Sequence, residues 1–313
     1  MHTTDPDRQR LDAAGITFLQ RGWLSSNNIL VRGDGPTTLV DSGYWTHSAQ
    51  TLALVEQATA GQAIERLLNT HLHSDHCGGN AALQEAYPGL VTMIPPGLAN
   101  AVSNWDPVAL TFEPTGQHCP RFGVQGLLTP GSTVRMGSHE WEVHGAKGHD
   151  PHSIILYEPL QRVLISADAL WENGFGVVFP ELEGVSAFDE VAQTLDAIEV
   201  LNPALVLPGH GSAFGNVSAA LDKARSRLEQ FVTRPDKHMR HAWKVLIKYK
   251  LLEWQSISRK GLNDWARATP YLAQAMPSGG QNPQEAAQWL DSLLEDLGRS
   301  SAIKIQGDLI VNV

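Results

Sequence analysis

Three histidines and one aspartate lie within six consecutive positions of this chain, in the segment 70–79, which reads THLHSDHCGG. Imidazole nitrogens bind zinc, iron and manganese, and a neighbouring carboxylate adds an oxygen ligand, so this segment can supply ligands to two adjacent metal ions. If the backbone is extended, His71 and His73 project to the same side, whereas Asp75 and His76 turn towards a second position. The segment therefore predicts a metal centre rather than a solvated polar loop.

Short strands alternating with helices are the elements that must position this segment. Alternating and buried apolar patterns predict strands at residues 16–21, 28–31, 37–40, 64–68, 91–94, 126–128, 133–136, 140–144, 153–157, 162–166 and 204–207. Helical spacing of apolar residues predicts helices at 46–58, 79–87 and 188–201. The histidines of segment 70–79 begin where one of these strands ends. Two β-rich halves with helices outside them indicate a layered α/β sandwich.

Helical patterns dominate the chain after Asn216. They predict helices at 217–232, 238–254 and 283–297, followed by a hairpin at 302–311 that turns at Gly307-Asp308. Helices followed by a hairpin resemble a winged-helix module, and the loop at 277–283 belongs to this part because helices flank it closely. We therefore predict a catalytic domain at 1–216 and a smaller helical, winged-helix-like domain at 217–313.

Composition places the chain among ordinary globular proteins. Of its 313 residues, 42% are hydrophobic and 18% are charged, which excludes the disordered, collagen-like and coiled-coil classes. The net charge of −10 is uneven, since residues 1–216 carry 9 basic and 23 acidic residues, whereas residues 217–313 carry 14 and 10. The stretch 223–260 holds 11 basic and 3 acidic residues, so it is either a solvated helix face or a surface for nucleic acid.

Cysteine content and apolar patterning indicate the compartment. Two cysteines, Cys77 and Cys119, are too few for a disulfide framework or a thiolate metal cage, so a metal site must rest on histidine and carboxylate. Cys77 is expected to be a packed thiol. Residues 1–11 are polar and lack the apolar core of a secretory signal, and no apolar run is long enough to span a bilayer. We therefore expect a cytoplasmic protein with no membrane partner.

Segment 70–79 resembles the hallmark T-H-x-H-x-D-H-x-G-G of the metallo-β-lactamase superfamily. The match is complete at the defined positions, which are Thr70, His71, His73, Asp75, His76, Gly78 and Gly79. The resemblance extends over roughly residues 15–215. It implies an α/β fold, the αββα metallo-β-lactamase sandwich, with metals at one edge of two facing sheets. A smaller, mainly helical C-terminal domain follows it.

The resemblance also implies three further ligands, each on a loop after a strand. Residues 148–153 (GHDPHS), 166–168 (SAD) and 208–211 (PGHG) match these motifs in the expected order, with Ala167 where glycine is commoner. Carried over, the ligands of one metal are His71, His73 and His149, and those of the other are Asp75, His76 and His210. Asp168 bridges the two. The implied cofactors are two divalent ions, with zinc the first expectation and manganese or iron the alternatives.

This ligand set suits hydrolysis. An anionic bridge offsets the repulsion between two close cations, and the pair lowers the pKa of a shared water towards neutrality. The resulting hydroxide is the expected nucleophile, and Asp75 is expected to orient it or accept its proton. His152, Trp171 and Phe175 are expected to line the substrate pocket. No site role is expected for the isolated histidines His118, His139, His144, His238 and His241.

The implied class is a dinuclear metal-dependent hydrolase whose substrate is open. A carboxylic ester or thioester is the first expectation, as in glyoxalase II-like enzymes, with the basic tail gripping an anionic carrier. Phosphodiester cleavage, as in lactamase-like endoribonucleases, and lactone opening are the alternatives. Asp168 stands where true β-lactamases of this superfamily carry cysteine, so antibiotic hydrolysis is not expected.

An iron-dependent dioxygenase is the alternative of another class, because the same ligands can hold iron. Flavodiiron proteins are not expected, since they have glutamate where His73 stands and continue into a flavin domain. A non-catalytic binding module would leave the intact ligand set unexplained. The sequence does not indicate an oligomeric state.

Overall fold

The computed structural model describes residues 5–313, so the first four residues of the predicted polar N-terminus lie outside the described part. Its first sheet has six strands, which are β1 (Ile16–Leu19), β2 (Asn28–Val31), β3 (Thr38–Val40), β4 (Arg66–Leu68), β5 (Val91–Ile94) and β6 (Gly126–Leu127). They lie in chain order across the sheet, antiparallel from β1 to β3 and parallel from β3 to β6. The carboxyl ends of the parallel strands therefore meet at one edge.

The second sheet has five strands, which are β7 (Thr133–Met136), β8 (His139–Gly145), β9 (Ile154–Glu158), β10 (Val163–Ala167) and β11 (Leu205–Pro208). Their order is β11-β10-β9-β8-β7, and only β10 and β11 pair in parallel. The register of that pair shifts between Ile165 and Ala167. Ala167 has a φ of 47°, so β10 ends in a left-handed residue that redirects the chain at Asp168.

Helices cover the outer face of each sheet. Those before residue 202 are α1 (Pro6–Ala13), α2 (Ser48–Thr59), α3 (Ser74–Cys77), α4 (Asn80–Ala86), α5 (Ala99–Asn104), α6 (Phe179–Leu182) and α7 (Phe188–Leu201). Leu39 of the first sheet packs in one cluster with Val55 of α2 and Leu83 of α4. Leu164 of the second sheet packs with Leu195 of α7. Each sheet thus buries one face beneath helices.

The other faces of the two sheets pack against each other. Val40 and Leu68 of the first sheet share a core with Trp141 and Leu207 of the second. Successive side chains of a strand point to opposite faces, so the adjacent residues Leu39 and Val40 belong to different layers. The fold is therefore the four-layered αββα sandwich, which confirms the predicted fold class.

The remaining elements are α8 (Val217–Thr233), α9 (Pro235–Trp254), β12 (Ser256–Ser258), α10 (Arg259–Ala268), α11 (Pro270–Ala275), α12 (Pro283–Arg299), β13 (Ile303–Gln306) and β14 (Leu309–Asn312). Helix α8 joins the outer layer of the sandwich beside α7. A separate core forms among α9, α10, α12 and a third sheet of order β12-β14-β13, and it includes Leu246, Leu262, Leu290 and Ile310. The end of the chain is thus mainly helical, with a small sheet.

Helix α9 lies directly against the sandwich. The Tyr249 hydroxyl donates to the Leu24 carbonyl at 3.2 Å, and its ring meets Tyr44 edge-on at 5.3 Å. The same hydroxyl lies 3.5 Å from Ser74 Oγ, within segment 70–79. One face of α9 is therefore held beside the predicted metal centre.

The predicted strands and helices are present, with differences at their ends. The C-terminal hairpin is confirmed, since β13 and β14 pair around Gly307. The elements α1, α3, α5, α6, β12, α10 and α11 were not predicted. No residue of α1 is buried, and β12 has three residues, so neither carries an apolar pattern long enough to detect. No helix within residues 5–313 is long and apolar enough to cross a membrane.

Candidate metal centre

The loops after β4 and β8 bring three histidines together. His71 and His73 lie on the first loop and His149 lies on the second. His73 Nδ1 is 3.1 Å from His71 Nε2 and 2.9 Å from His149 Nε2. Each residue offers a nitrogen within 4.8 Å of the others, so this histidine cluster can hold one metal ion.

Four further residues meet beside the histidine cluster. Asp75 and His76 lie on α3, Asp168 follows β10, and His210 follows β11. Asp75 Oδ2 is 3.0 Å from His210 Nε2 and 3.8 Å from His76 Nε2. One potential ligand atom from each residue lies within 4.8 Å of the others, so this mixed cluster can hold a second ion.

The Asp168 carboxylate lies between the two clusters. Its Oδ2 is 3.4 Å from His149 Nε2 in the histidine cluster. Its Oδ1 is 3.5 Å from His76 Nε2 and 3.9 Å from His210 Nε2 in the mixed cluster. The two oxygens of one carboxylate therefore face both clusters, which is the geometry that a bridging ligand needs.

Asp41, which the sequence analysis did not identify, orients His76. Its Oδ2 accepts from His76 Nδ1 at 2.7 Å, and the Thr70 hydroxyl and backbone N–H donate to its two oxygens at 2.9 Å each. The Asp41 side chain is 2% exposed. Asp41 comes directly after the buried strand β3, as Asp168 comes directly after β10, but Asp168 was assigned through the resemblance, which gave Asp41 no role.

Hydrogen bonds at Nδ1 leave Nε2 available in two of the imidazoles. His149 Nδ1 donates to the Val177 carbonyl at 2.6 Å, as His76 Nδ1 does to Asp41. A donor hydrogen on Nδ1 places the free lone pair of a neutral ring on Nε2, which then faces the cluster. His76 Nε2 is buried and forms no hydrogen bond within residues 5–313. A cation would supply its missing partner.

The protonation of the clusters suits cation binding. Burial lowers the pKa of His71 well below its usual value, and burial together with His149 lowers the pKa of His73 to about 4. Burial alone would raise the pKa of Asp168, but His210 and His76 hold it well below its usual range. Burial would lower the pKa of His76, but Asp41, Asp168 and Asp75 raise it well above its usual value, so an ion binding there would displace a proton. Neutral imidazoles and an ionised carboxylate are the forms that coordinate metals, so His71, His73 and Asp168 are ready to bind cations.

Two glycines allow the backbone to approach the ligands closely. A Cβ on Gly209 would lie 2.3 Å from Asp168 Oδ1, and a Cβ on Gly176 would lie 2.4 Å from His149 Nδ1. Real Cβ atoms essentially never make contacts that short. A side chain at either position would displace a predicted ligand.

A cavity of about 660 Å³ opens onto both clusters. His73 and His149 line it from the histidine cluster, and Asp75, Asp168 and His210 line it from the mixed cluster. Helix α9 closes another side with a face that includes His241, Lys244, Val245, Lys248 and Tyr249. Substrate in this cavity would contact both halves of the chain.

The three predicted pocket residues have different positions. Trp171 lines the cavity and donates its indole N–H to Asp168 Oδ1 at 3.2 Å. Phe175 is not in the described lining of this cavity: its side chain is 1% exposed, packs in the core and borders a separate void of about 10 Å³. His152 is also absent from the described lining, because its ring packs against Gly97, where a Cβ would lie 2.1 Å from Nδ1.

Sequence reasoning missed several lining residues. Trp23 is 57% exposed and stacks on His210, with ring centroids 5.3 Å apart. His241 was expected to have no site role, but it lines the cavity with Arg227, which hydrogen-bonds to it at 2.8 Å. His238, by contrast, is buried and accepts from Val178 N–H at 3.1 Å. Trp23, Arg227 and His241 stand apart from any motif, so the sequence around each does not show that they meet at one cavity.

Comparisons with known proteins agree with this geometry. A family model described as the metallo-beta-lactamase superfamily matches residues 21–210, which include both clusters. The human acyl-coenzyme A thioesterase MBLAC2 is 25% identical over 228 residues, covering 64% of this chain and 80% of that protein. A hydroxyacylglutathione hydrolase of Hyphomonas neptunium is 26% identical over 147 residues, covering 47% and 48%.

Solved structures share the fold. A metallo-beta-lactamase family protein from Thermus thermophilus, TTHA1429, superposes with a TM-score of 0.53 at 19% identity. The match covers 96% of this chain and 99% of that one, so it includes the mainly helical end. A second protein, TTHA1623 in a di-iron-bound form, has a TM-score of 0.53 at 24% identity and covers 66% of this chain and 98% of its own.

Proposed function

This chain belongs to the metallo-β-lactamase superfamily and is a hydrolase, and from that premise we propose that it hydrolyses thioesters at a dinuclear metal centre. The observation that carries the proposal is Asp168, whose two oxygens face the histidine cluster and the mixed cluster. The names of the acyl-coenzyme A thioesterase and the hydroxyacylglutathione hydrolase support a thioester substrate. In an acylglutathione, as in an acyl-coenzyme A, the acyl group is joined to sulfur by a thioester bond.

In this proposal the histidine cluster would hold one ion and the mixed cluster the other, and Asp168, which faces both clusters, would be available to each. Two divalent ions there would supply Lewis acidity and a water of lowered pKa. Hydrogen bonds fix the orientation of two ligand rings. The Asp41 carboxylate accepts from His76 Nδ1, and the Val177 carbonyl accepts from His149 Nδ1. Such outer hydrogen bonds set the direction of the ligand lone pairs.

Asp75 is the proposed catalytic carboxylate. It lines the cavity, and its side chain is 14% exposed, more than that of Asp168 at 7%. Burial would raise its pKa, but His76 and His210 lower it below the usual value, so Asp75 is ionised at neutral pH. An ionised carboxylate at the cavity surface can orient the attacking water and accept its proton.

Aromatic side chains border the cavity beside the mixed cluster. The Trp23 and Trp171 rings meet edge-on at 5.5 Å, and Trp23 also stacks on His210. An exposed tryptophan at the mouth of a cavity offers apolar surface to a substrate. We assign Trp23 and Trp171 to the packing of the acyl group and to the exclusion of bulk water from the thioester.

The basic stretch 223–260 favours this function over RNA cleavage. Seven of its eleven basic residues form ion pairs with carboxylates of the same chain, namely Arg225, Arg234, Arg240, Lys244, Lys250, Arg259 and Lys260. Cations that are already paired contribute little to the attraction of a phosphate backbone. The net positive charge of this stretch therefore does not by itself make a nucleic-acid surface.

Metal content and thioesterase activity test the proposal together. We would purify the chain without added metal, measure its metals by mass spectrometry, and assay acyl thioesters, lactones and RNA. His71→Ala and Asp168→Ala remove one histidine ligand and the bridge, respectively. His144→Ala is the matched control, because His144 lies on β8 and pairs with Glu142 away from both clusters.

We expect about two zinc or manganese ions per chain in the wild type and the control, with loss of metal and thioesterase activity in both ligand variants. A single tightly held iron with oxygen uptake would refute the hydrolase and indicate a dioxygenase. If the protein binds two ions but cleaves RNA or lactones and not thioesters, the proposed metal centre would stand and the proposed thioester substrate would be refuted.

A further inference from the structure

Four basic residues of the stretch 223–260 have no aspartate or glutamate partner in the described structure, namely Lys223, Arg227, Lys237 and Lys248. Arg227 and Lys248 line the cavity at the metal centre, and Lys244 lines it beside them. These three residues form a cationic wall. Two of the four unpaired residues therefore lie at the cavity, and Lys223 and Lys237 lie outside its described lining.

Arg227 is surrounded by neutral groups. Its guanidinium lies over the rings of Phe231 and Phe175, at 5.3 and 5.7 Å, and hydrogen-bonds to His241 Nε2 at 2.8 Å. Burial, followed by the charge of Arg227, lowers the pKa of His241 to about 3, so that ring is a neutral acceptor. A guanidinium in such surroundings has lost water without gaining a counter-charge, which costs free energy.

The two lysines extend the same surface along α9. Lys244 and Lys248 are one helical turn apart, so they share a face of the helix with His241. Lys248 Nζ donates to the Ala302 carbonyl at 2.7 Å, to the Asn312 side-chain oxygen and to Val313 O at 3.0 Å, and these contacts orient the amine beside the cavity. Lys244 is partly compensated by Asp296 at 3.5 Å.

Acidic residues of the cavity do not neutralise the cationic wall. Asp75 and Asp168 belong to the mixed cluster, where they face histidines. Glu172, the remaining acid in the described lining, is exposed and forms no ion pair within residues 5–313. An anion entering the cavity would therefore meet the unpaired Arg227 guanidinium in partly dry surroundings, where charge pairing is strong.

We propose that the cationic wall binds a carboxylate or phosphate group of the substrate, away from the thioester bond, and that Arg227 determines this specificity. The inference rests on the proposed thioesterase function. It names the substrate class as thioesters that carry an anion, either on the thiol carrier or at the far end of the acyl group. Arg227 is a specificity residue here and takes no part in bond cleavage.

Kinetics with paired substrates test the proposal. The anionic substrates are acetylglutathione, acetyl-coenzyme A and the glutaryl thioester of N-acetylcysteamine, and the neutral one is acetyl-N-acetylcysteamine. Arg227→Gln removes the charge and Arg227→Lys retains it. The matched control is Arg225→Gln, on the same helix, because Arg225 pairs with Asp196 and Glu199 and lies outside the cavity lining.

Arg227→Gln should raise KM for at least one anionic substrate by about tenfold or more, because a charge-assisted hydrogen bond is lost. The kcat for that substrate and the KM for the neutral one should stay within about twofold, and Arg227→Lys should recover much of the loss. The substrate whose KM rises shows whether the bound anion belongs to the thiol carrier or to the acyl group. Equal effects on anionic and neutral substrates, or an equal effect of Arg225→Gln, would overturn the proposal.

Binding of unreactive analogues separates this proposal from the thioesterase function. By calorimetry on the wild type, S-methylglutathione, S-methyl-coenzyme A or glutarate should bind about tenfold or more tightly than S-methyl-N-acetylcysteamine, and added salt should weaken this preference. The measurement needs no hydrolysis and no variant, so it holds even if Arg227→Gln fails to fold. Absence of any preference for the anionic analogues would overturn the proposal whether or not thioesters are hydrolysed.

Discussion

Replacing Asp41 by asparagine should weaken the mixed cluster without changing the shape of the site. The Asp41 carboxylate accepts three hydrogen bonds, from His76 Nδ1 and from the hydroxyl and N–H of Thr70. Asparagine has the same size but only one oxygen, and its amide nitrogen cannot accept. If that nitrogen faces His76, the ring must carry its proton on Nε2, which then has no lone pair for a metal.

The structure sets the size of the effect. Loss of an outer hydrogen bond to a ligating histidine typically lowers metal affinity by about 10- to 100-fold. The larger loss should fall on the mixed cluster, because Asp41 contacts His76 directly and reaches His71 of the histidine cluster only through the Thr70 hydroxyl. The buried carboxylate also holds Thr70, so the metal-free protein should lose about 1–3 kcal/mol of unfolding free energy.

Competition with a chelating dye measures both metal affinities, and chemical denaturation measures the stability. Glu158→Gln is the matched control, because Glu158 is a buried carboxylate that accepts from the Leu160 and Gln161 N–H groups outside both clusters. The Glu158→Gln variant should have a lower free energy of unfolding and an unchanged metal affinity at both clusters. Unchanged affinity of the mixed cluster in Asp41→Asn, or equal weakening of both clusters, would refute the reasoning.

Three further predictions follow from the same geometry. Gly209→Ala should lower metal occupancy, measured by mass spectrometry, because its Cβ would lie 2.3 Å from Asp168 Oδ1, whereas Gly298→Ala, with open space around it, should not. Ala60→Gly should stabilise the protein by about 0.5–1 kcal/mol in denaturant titrations, since Ala60 ends α2 with a φ of 53°. Ala53→Gly, at an exposed position inside α2, should destabilise it by about 1 kcal/mol, so a shift of the same sign in both would contradict the argument. Treatment with a chelator should lower Tm and abolish hydrolysis, and zinc should restore both; an unchanged Tm would show that folding does not depend on the ions.

Much of the candidate site was accessible from the sequence because its signals are local. Segment 70–79 supplies four of the seven clustered residues from six consecutive positions. The resemblance that this segment carries implied the other three, His149, Asp168 and His210, each on a loop after a strand. The chemistry of imidazole and carboxylate indicates metal binding without any knowledge of the fold. The alternation of apolar residues likewise predicted the strands of both sheets.

The residues that sequence reasoning missed have roles that depend on distant partners. Asp41 lies 35 positions before His76 and meets it only because the parallel pairing of β3 with β4 places the ends of both strands at one edge. Trp23 reaches His210 across 187 positions, through the contact of the two sheets. Neither pair has a spacing that a local pattern could detect.

The division at 216/217 and the winged-helix likeness of the tail stay predictions. Helix α8 packs into the outer layer of the sandwich, and the separate core includes residues of α9 onward. The amphipathic pattern of α8 predicted a helix correctly, but a periodic pattern does not say which core its apolar face will join.

The sequence by itself determined the metal-ligand chemistry, the layered α/β class and the helical end, because residue type and short-range periodicity are properties of neighbouring positions. Tertiary structure alone decided that Trp171 faces the cavity while Phe175 enters the core, and that Arg227 stays without a carboxylate beside the metal centre. Which face of a segment is buried, and which charges find partners, depends on how sheets and helices from distant parts of the chain pack together.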